Sequence, residues 1–193
     1  MQLGESMAHR KTFAALLRGI NVGGGRKIEM AKLRAVCGNI GLENVQTYIQ
    51  SGNVAFTADA SPTALEGRLE DAIGQEFRFA VSVVVRSQAR WKHYVRTNPF
   101  ADESRQTPNL VILAVSKSAV KGDSAKALEQ RATQGERVVA DRDALWIYYP
   151  GGIARSKLSP TVLDRLVDSA VTTRNWRTVH ALDRMLHGIR SAR

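Results

Sequence analysis

The chain has 193 residues, 44% hydrophobic and 24% charged, which suits one large or two small soluble domains with a core that needs no covalent staples. Its single cysteine, Cys37, excludes an intrachain disulfide and every zinc motif built on cysteine pairs, and predicts a cytoplasmic setting. With 28 basic against 18 acidic residues the net charge is +10, which favours anionic partners. No apolar run approaches the ~20 residues of a membrane span. The start, "MQLGESMAHRK", has no apolar signal-peptide core. Residues 1–10 are therefore expected to form a disordered leader.

The predicted elements begin with "TFAALLR", an apolar strand that runs into the glycine-rich stretch "GINVGGG". A helix from about Glu29 to Asn39 follows, with Met30, Leu33, Val36, Cys37 and Ile40 at helical spacing and Gly41 as its stop. "VQTYIQ" and "NVAFTA" predict two strands joined by a two-residue turn at "SG". Ser61 and Pro62 open a helix whose inner stripe is Leu65, Leu69, Ile73 and Phe77. "FAVSVVVR" is the next strand, and "SQARWKHYVRTNPF" a connecting helix that stops before Pro99.

The second half repeats the element order. "NLVILAVS" is a strand and "SAKALEQRAT" a helix. "ERVVAD" and "ALWIYYP" form a hairpin across "RD", where Asp141 and Asp143 read as turn formers. "SPTVLDRLV" is a helix, "AVTTR" a short strand and "NWRTVHALDRMLHGIR" a final helix. Two βαββαβ units predict an α+β protein of two ferredoxin-like (alpha-beta plait) antiparallel-sheet domains plus a C-terminal helix. The expected boundaries are 11–100 and 109–193, with the polar stretch 101–108 as linker.

Three loops carry candidate chemistry. In the first, Arg18 ends a strand, and Asn21, Gly23 and Gly24 lie in a loop that leads to a helix N-terminus. Glycines let backbone N–H groups approach an anion, and the helix end adds unpaired donors and partial positive charge. The same stretch also reads as a tight turn. It fits neither the Walker pattern nor G-x-G-x-x-G. The second loop, "YYPGGIARSKLSP", presents Arg155, Ser156 and Lys157. The third, "TTRNW", sets Arg174 before Asn175, a helix cap, and Trp176, which can stack on a planar group or simply pack. The histidines lack metal-ligand spacing, so no metal and no cofactor is expected.

The motifs "ALLRGINVGG", "YIQSGNVAF", "VVVRS", "NPF", "GGIARSKLS" and "TTRNWRTV" resemble, in order and spacing, the signatures of a large bacterial family known only as a domain of unknown function. The resemblance spans about Phe13 to Leu186 and implies two alpha-beta plait domains, with no activity attached. Matching positions include Ser51, Gly52 and Asn53 in the hairpin, and Ser156, Lys157, Arg174, Asn175 and Trp176 further on.

Together these residues predict an inter-domain cleft that binds a small phosphate- or carboxylate-bearing ligand. Arg18, Asn21, Lys157 and Arg174 are expected to face one concavity. Two alternatives stand beside this: a nucleic-acid-binding module that uses the basic surface, and a protein-interaction or structural role. No membrane partner is expected.

Overall fold

The computed structural model describes residues 10–189. The expected leader, apart from Arg10, lies outside the described residues. Two four-stranded antiparallel sheets are built from successive halves of the chain. In the first half, β1 (Lys11–Leu17), α1 (Met30–Asn39), β2 (Glu43–Tyr48), β3 (Asn53–Ala58), α2 (Pro62–Phe77) and β4 (Val83–Ser87) give the order β2-β3-β1-β4. Helices α3 (Gln88–Arg96) and α4 (Ala101–Gln106) follow. In the second half, β5 (Val111–Ser116), α5 (Ser124–Glu129), β6 (Arg137–Asp141), β7 (Ala144–Tyr148), α6 (Pro160–Val167) and β8 (Val171–Asn175) give the matching order β6-β7-β5-β8. The chain closes on α7 (Trp176–Gly188).

Both sheets are buried on both faces, which is why β1, β3 and β5 read as near-continuous apolar runs. Phe13, Ala15 and Leu17 of β1 pack with Leu33 and Cys37 of α1 and Leu65, Leu69 and Ile73 of α2. The alternate residues Ala14 and Leu16 turn to the other side. There they join Trp91 and Tyr94 of α3, Leu182 and Leu186 of α7, and Leu113 and Trp146 of the second sheet. Ala14 lies opposite Ala55 across the β1–β3 ladder, and these small side chains let α7 approach β1 and β3 closely. On the far face of the second sheet, Ile112 and Ala114 pack with Leu128 of α5 and Leu163 of α6. The layers run α1/α2, sheet, α3/α7, sheet, α5/α6.

Two expectations need correction. The β2–β3 connection is not a two-residue turn: it runs over residues 49–52, with Ile49 at φ 49° and Gly52 at φ 74°. The polar stretch after Pro99 is not a plain linker, because its first residues form α4, where Asn98 Oδ1 accepts from Phe100 N and Nδ2 donates to Ser104 Oγ. The expected C-terminal helix is present as α7. Both halves end in a helix, α3 or α7, and these two helices pack on each other between the sheets.

The helix starts follow their residues closely. Ser61, Ser159 and Asn175 each accept a hydrogen bond from the backbone N–H three residues on, at 3.2, 3.4 and 3.0 Å. Pro62 and Pro160 occupy the first helical position, where a missing N–H costs nothing.

Candidate functional site

Leaving β1, the chain is pinned by Leu17 N–H to Gly52 O (2.8 Å) and Arg18 N–H to Ser82 O (3.0 Å). Asn21 then closes the glycine-rich loop. Its Oδ1 accepts from Ile28 N (2.9 Å), while Nδ2 donates to Ile28 O (3.0 Å) and Gln50 O (2.7 Å). Asn21 sits at φ 56°, a left-handed conformation that asparagine tolerates better than most residues. Its amide ties the loop to the β2–β3 hairpin and fixes one wall of a cavity.

That cavity, about 730 Å³, lies between the two domains. Its walls are the end of β1, the loop after it, the β2–β3 hairpin, β8 and Pro160 at the start of α6. Three arginines line it: Arg18, Arg26 and Arg174. Its lining holds no aspartate, glutamate, histidine, lysine or cysteine. Ser51, Ser82, Thr172 and Thr173 supply hydroxyls. Thr172 Oγ1 accepts from Arg174, so its own hydrogen is left for another acceptor.

Arg174 is only 8% exposed. Nε donates to Asn53 Oδ1 (2.5 Å), Nη1 to Thr172 Oγ1 (3.0 Å) and Thr173 O (2.8 Å), and Nη2 to Leu17 O (2.9 Å) and Ser51 O (3.0 Å). Every acceptor is neutral, and no carboxylate forms an ion pair with it among the described residues. Burial pushes this guanidinium down to about 10, so it is still charged at neutral pH. Asn53 is itself fully buried, held by Nδ2 bonds to Tyr48 O and Ser51 Oγ (both 3.0 Å). Arg174 thus reaches from β8 of one domain to β1 and the hairpin of the other.

Arg18 is paired. Its Nη2 meets Asp164 Oδ2 of α6 at 2.5 Å, across the domain boundary. Asp164 Oδ1 also accepts from Val171 N (2.9 Å), which fixes the start of β8. Arg26, exposed on the loop, forms no ion pair among the described residues, and its guanidinium hangs over Gly19.

The remaining predicted residues lie elsewhere. Gly24 borders a neighbouring depression at the start of α1, while Gly23 lines neither cavity. Arg155, Ser156 and Lys157 do not reach the arginine-lined cavity. Ser156 Oγ is hydrogen-bonded to Glu136 and accepts from Leu158 N, which turns that loop into a brace against the second domain. Asn175 caps α7, and Trp176 packs between Trp146 and His180 at centroid distances of 5.8 and 5.9 Å. Of the four residues expected to share a concavity, Arg18, Asn21 and Arg174 do so and Lys157 does not. Arg26, Thr172, Thr173 and Ser82 line it although they are not among the expected ligand-binding residues. Arg26 follows the "GGG" run and the two threonines belong to "TTR", but nothing in the sequence flags Ser82, which precedes β4.

A second arginine clamp, related by the repeat, clarifies the first. Arg86 holds the same place in β4 as Arg174 in β8: it pairs with Ala14 of β1 as Arg174 pairs with Leu113 of β5. It too crosses to the other domain, donating to Ser116 O at the end of β5. Here, however, carboxylates compensate the charge: Asp143 at 2.6 Å and Glu66 at 3.5 Å. Asp143 also takes Arg90 (2.5 Å) and the Tyr94 hydroxyl (2.8 Å), and Arg90 reaches Asp141 at 3.2 Å. Burial alone would raise the Asp143 carboxyl, but Arg86, Arg90 and Tyr94 outweigh it and hold the group below its ordinary value. Asp141 and Asp143 are therefore more than turn formers; they anchor the β6–β7 hairpin to the first domain.

Among the described residues, no helix is long and apolar enough to cross a membrane, and no group of three or more His, Cys, Asp or Glu could hold a metal ion. No curated protein matches the chain significantly. Among solved structures, a conserved bacterial protein from Streptococcus pneumoniae aligns over 92% of this chain and 99% of its own, with 24% identity and a TM-score of 0.71, which shows a shared fold. A putative chlorite dismutase aligns over the same shares with 12% identity and a TM-score of only 0.24. The model of the family described as "Protein of unknown function (DUF1697)" matches residues 10–146, so this chain belongs to that family.

Proposed function

We propose that the protein binds a small anionic ligand, bearing a phosphate or carboxylate, in the cavity between its two domains. One observation carries this: Arg174 is a buried guanidinium whose bonds all go to neutral oxygens, whereas its counterpart Arg86 is neutralised by Asp143 and Glu66. An isolated buried charge costs several kcal/mol. At Arg86 the protein supplies the compensating carboxylates itself. At Arg174 it leaves a cavity with two more arginines and four hydroxyl side chains on its walls. An anion there meets Arg26, which forms no ion pair among the described residues, and the field of the buried Arg174.

The lining offers donors and charge, but no side chain that titrates near neutrality, so the reading is one of binding. A small ligand is favoured over nucleic acid because both faces of each sheet are covered by helices. No open sheet is left on which bases could stack, as they do in RNA-recognition domains.

Isothermal titration with inorganic phosphate, nucleoside monophosphates and small dicarboxylates tests this. Arg26→Ala, which breaks no ion pair in the structure, should weaken a ligand found in that screen by ~1.5–3 kcal/mol with an unchanged melting temperature. Arg18→Ala should weaken it too, and should also destabilise the fold by severing the link to Asp164. Binding that ignores both variants, or that falls steeply with salt for any polyanion, would reject the pocket.

A further inference from the structure

Within the described residues, only four large hydrophobic side chains are prominently exposed: Val22, Ile49, Val139 and Ile153. Two of them, Val22 (66% exposed) and Ile49 (51%), lie on the walls of the arginine-lined cavity. They come from different elements, the β1–α1 loop and the β2–β3 hairpin, and Asn21 links those elements through Gln50 O. Ile49 sits at φ 49°, a region that β-branched residues rarely occupy. The hairpin holds it there through its fixed neighbours, Gly52 and Asn53, which Leu17 and Arg174 bind. At the inner end, buried Leu17, Ile20 and Val171 add further apolar wall beside Arg174 and Thr172.

We infer that the ligand is amphiphilic: an anionic head group set against Arg26, Arg18 and the Thr172 hydroxyl in the field of Arg174, whose five N–H groups are all bonded within the protein, joined to an apolar or aromatic body that covers Val22 and Ile49. This rests on the anion-binding reading above and adds a chemical class to it. A bare inorganic anion would leave both side chains in water and fill little of a cavity of about 730 Å³. A sugar-like polar body would bury them against hydroxyls and gain little. An acyl chain or an aromatic ring removes apolar surface from water on both partners. A cavity whose walls carry both guanidinium groups and exposed apolar side chains suits a small organic acid or phosphomonoester with a hydrophobic substituent.

The test compares anions of equal charge and different body at one pH and ionic strength. Affinities of the full chain for glycerol phosphate and phenyl phosphate, and for acetate and benzoate, are measured by isothermal titration, with inorganic phosphate as the bare anion. In each pair the ring-bearing ligand should bind about tenfold tighter or more. The gap should close in Val22→Ser/Ile49→Asn, whose asparagine suits the left-handed backbone, while affinity for inorganic phosphate stays within about twofold. Equal affinity within both pairs in the wild-type chain, with phosphate binding intact, overturns the amphiphile assignment and leaves the anion site standing. A gap that survives the double variant overturns the role given to Val22 and Ile49. No measurable binding of any of the five anions overturns both. Because the wild-type comparison decides on its own, a variant that fails to fold does not rescue the proposal.

Discussion

Gly52 shows how much the cavity asks of one residue. It stands at φ 74°, its carbonyl accepts from Leu17 N, and a Cβ there would lie 2.7 Å from Leu17 Cβ and from Ile20 Cδ1. Both neighbours are buried, so neither can swing away. Gly52→Ala should therefore destabilise the protein by roughly 2–4 kcal/mol, combining left-handed strain with overpacking. A urea unfolding midpoint close to that of the parent would show that the hairpin can relax. The two arginine clamps make the complementary point about charge. Arg86 and Arg174 hold matching strand positions, yet one faces aspartate and glutamate and the other faces asparagine, threonine and carbonyls. In the sequence they are simply the arginines of "VVVRS" and "TTRN", and nothing local tells them apart.

The β6–β7 hairpin is the element whose stability should depend most on pH. Asp143 anchors it to Arg86, Arg90 and Tyr94, and its carboxyl is held below its unfolded value despite burial. Such a group contributes fully above the ordinary carboxylate range, and its contribution is lost as pH falls through the lowered value. Unfolding midpoints measured from pH 7 down to pH 3 should drop below about pH 4, the unfolded aspartate value. Asp143→Asn should lose about 3 kcal/mol at pH 7 by leaving Arg86 and Arg90 poorly compensated. It should also show a flatter acid limb; an acid limb as steep as the parent's would assign the effect to other carboxylates. Element starts were legible in the sequence because Ser-Pro and Asn-Trp place the cap and first turn by local geometry. The four-residue β2–β3 connection was not, since "SG" suits a tight turn and Ile49 gives no sign that it will adopt φ 49°.

At the scale of the whole molecule, the two repeats share a central core layer besides the outer core that each has of its own. Trp91, Tyr94, Trp146, Leu182 and Leu186 fill the space between the sheets, and Arg18–Asp164, Lys117–Glu70 and both arginine clamps cross the same boundary. Each half has its own core on the outer face of its sheet, but either one taken alone would expose the shared layer between the sheets, so thermal unfolding should be a single transition with calorimetric and van't Hoff enthalpies in agreement. Two resolved transitions, or a folded fragment covering residues 10–100, would contradict this.

By itself the sequence determined the strand order along the chain, the helices within each repeat, the two antiparallel sheets and the capped helix starts, though not α4, because hydrophobic period, Ser-Pro starts and turn residues act over a few residues along the chain. It also marked "LRGIN", "SGN" and "TTRN" as polar segments beside apolar runs, and these do meet, although "TTRN" belongs to strand β8 itself. The tertiary structure decided which charges are neutralised and which loops share a wall. It turned "RSK" away to Glu136, gave Asp164 to Arg18, gave Asp143 to Arg86, and left Arg174 with neutral partners more than 100 residues away in sequence. Compensation of a buried charge depends on distance and desolvation in three dimensions, and neither is encoded by spacing along a strand.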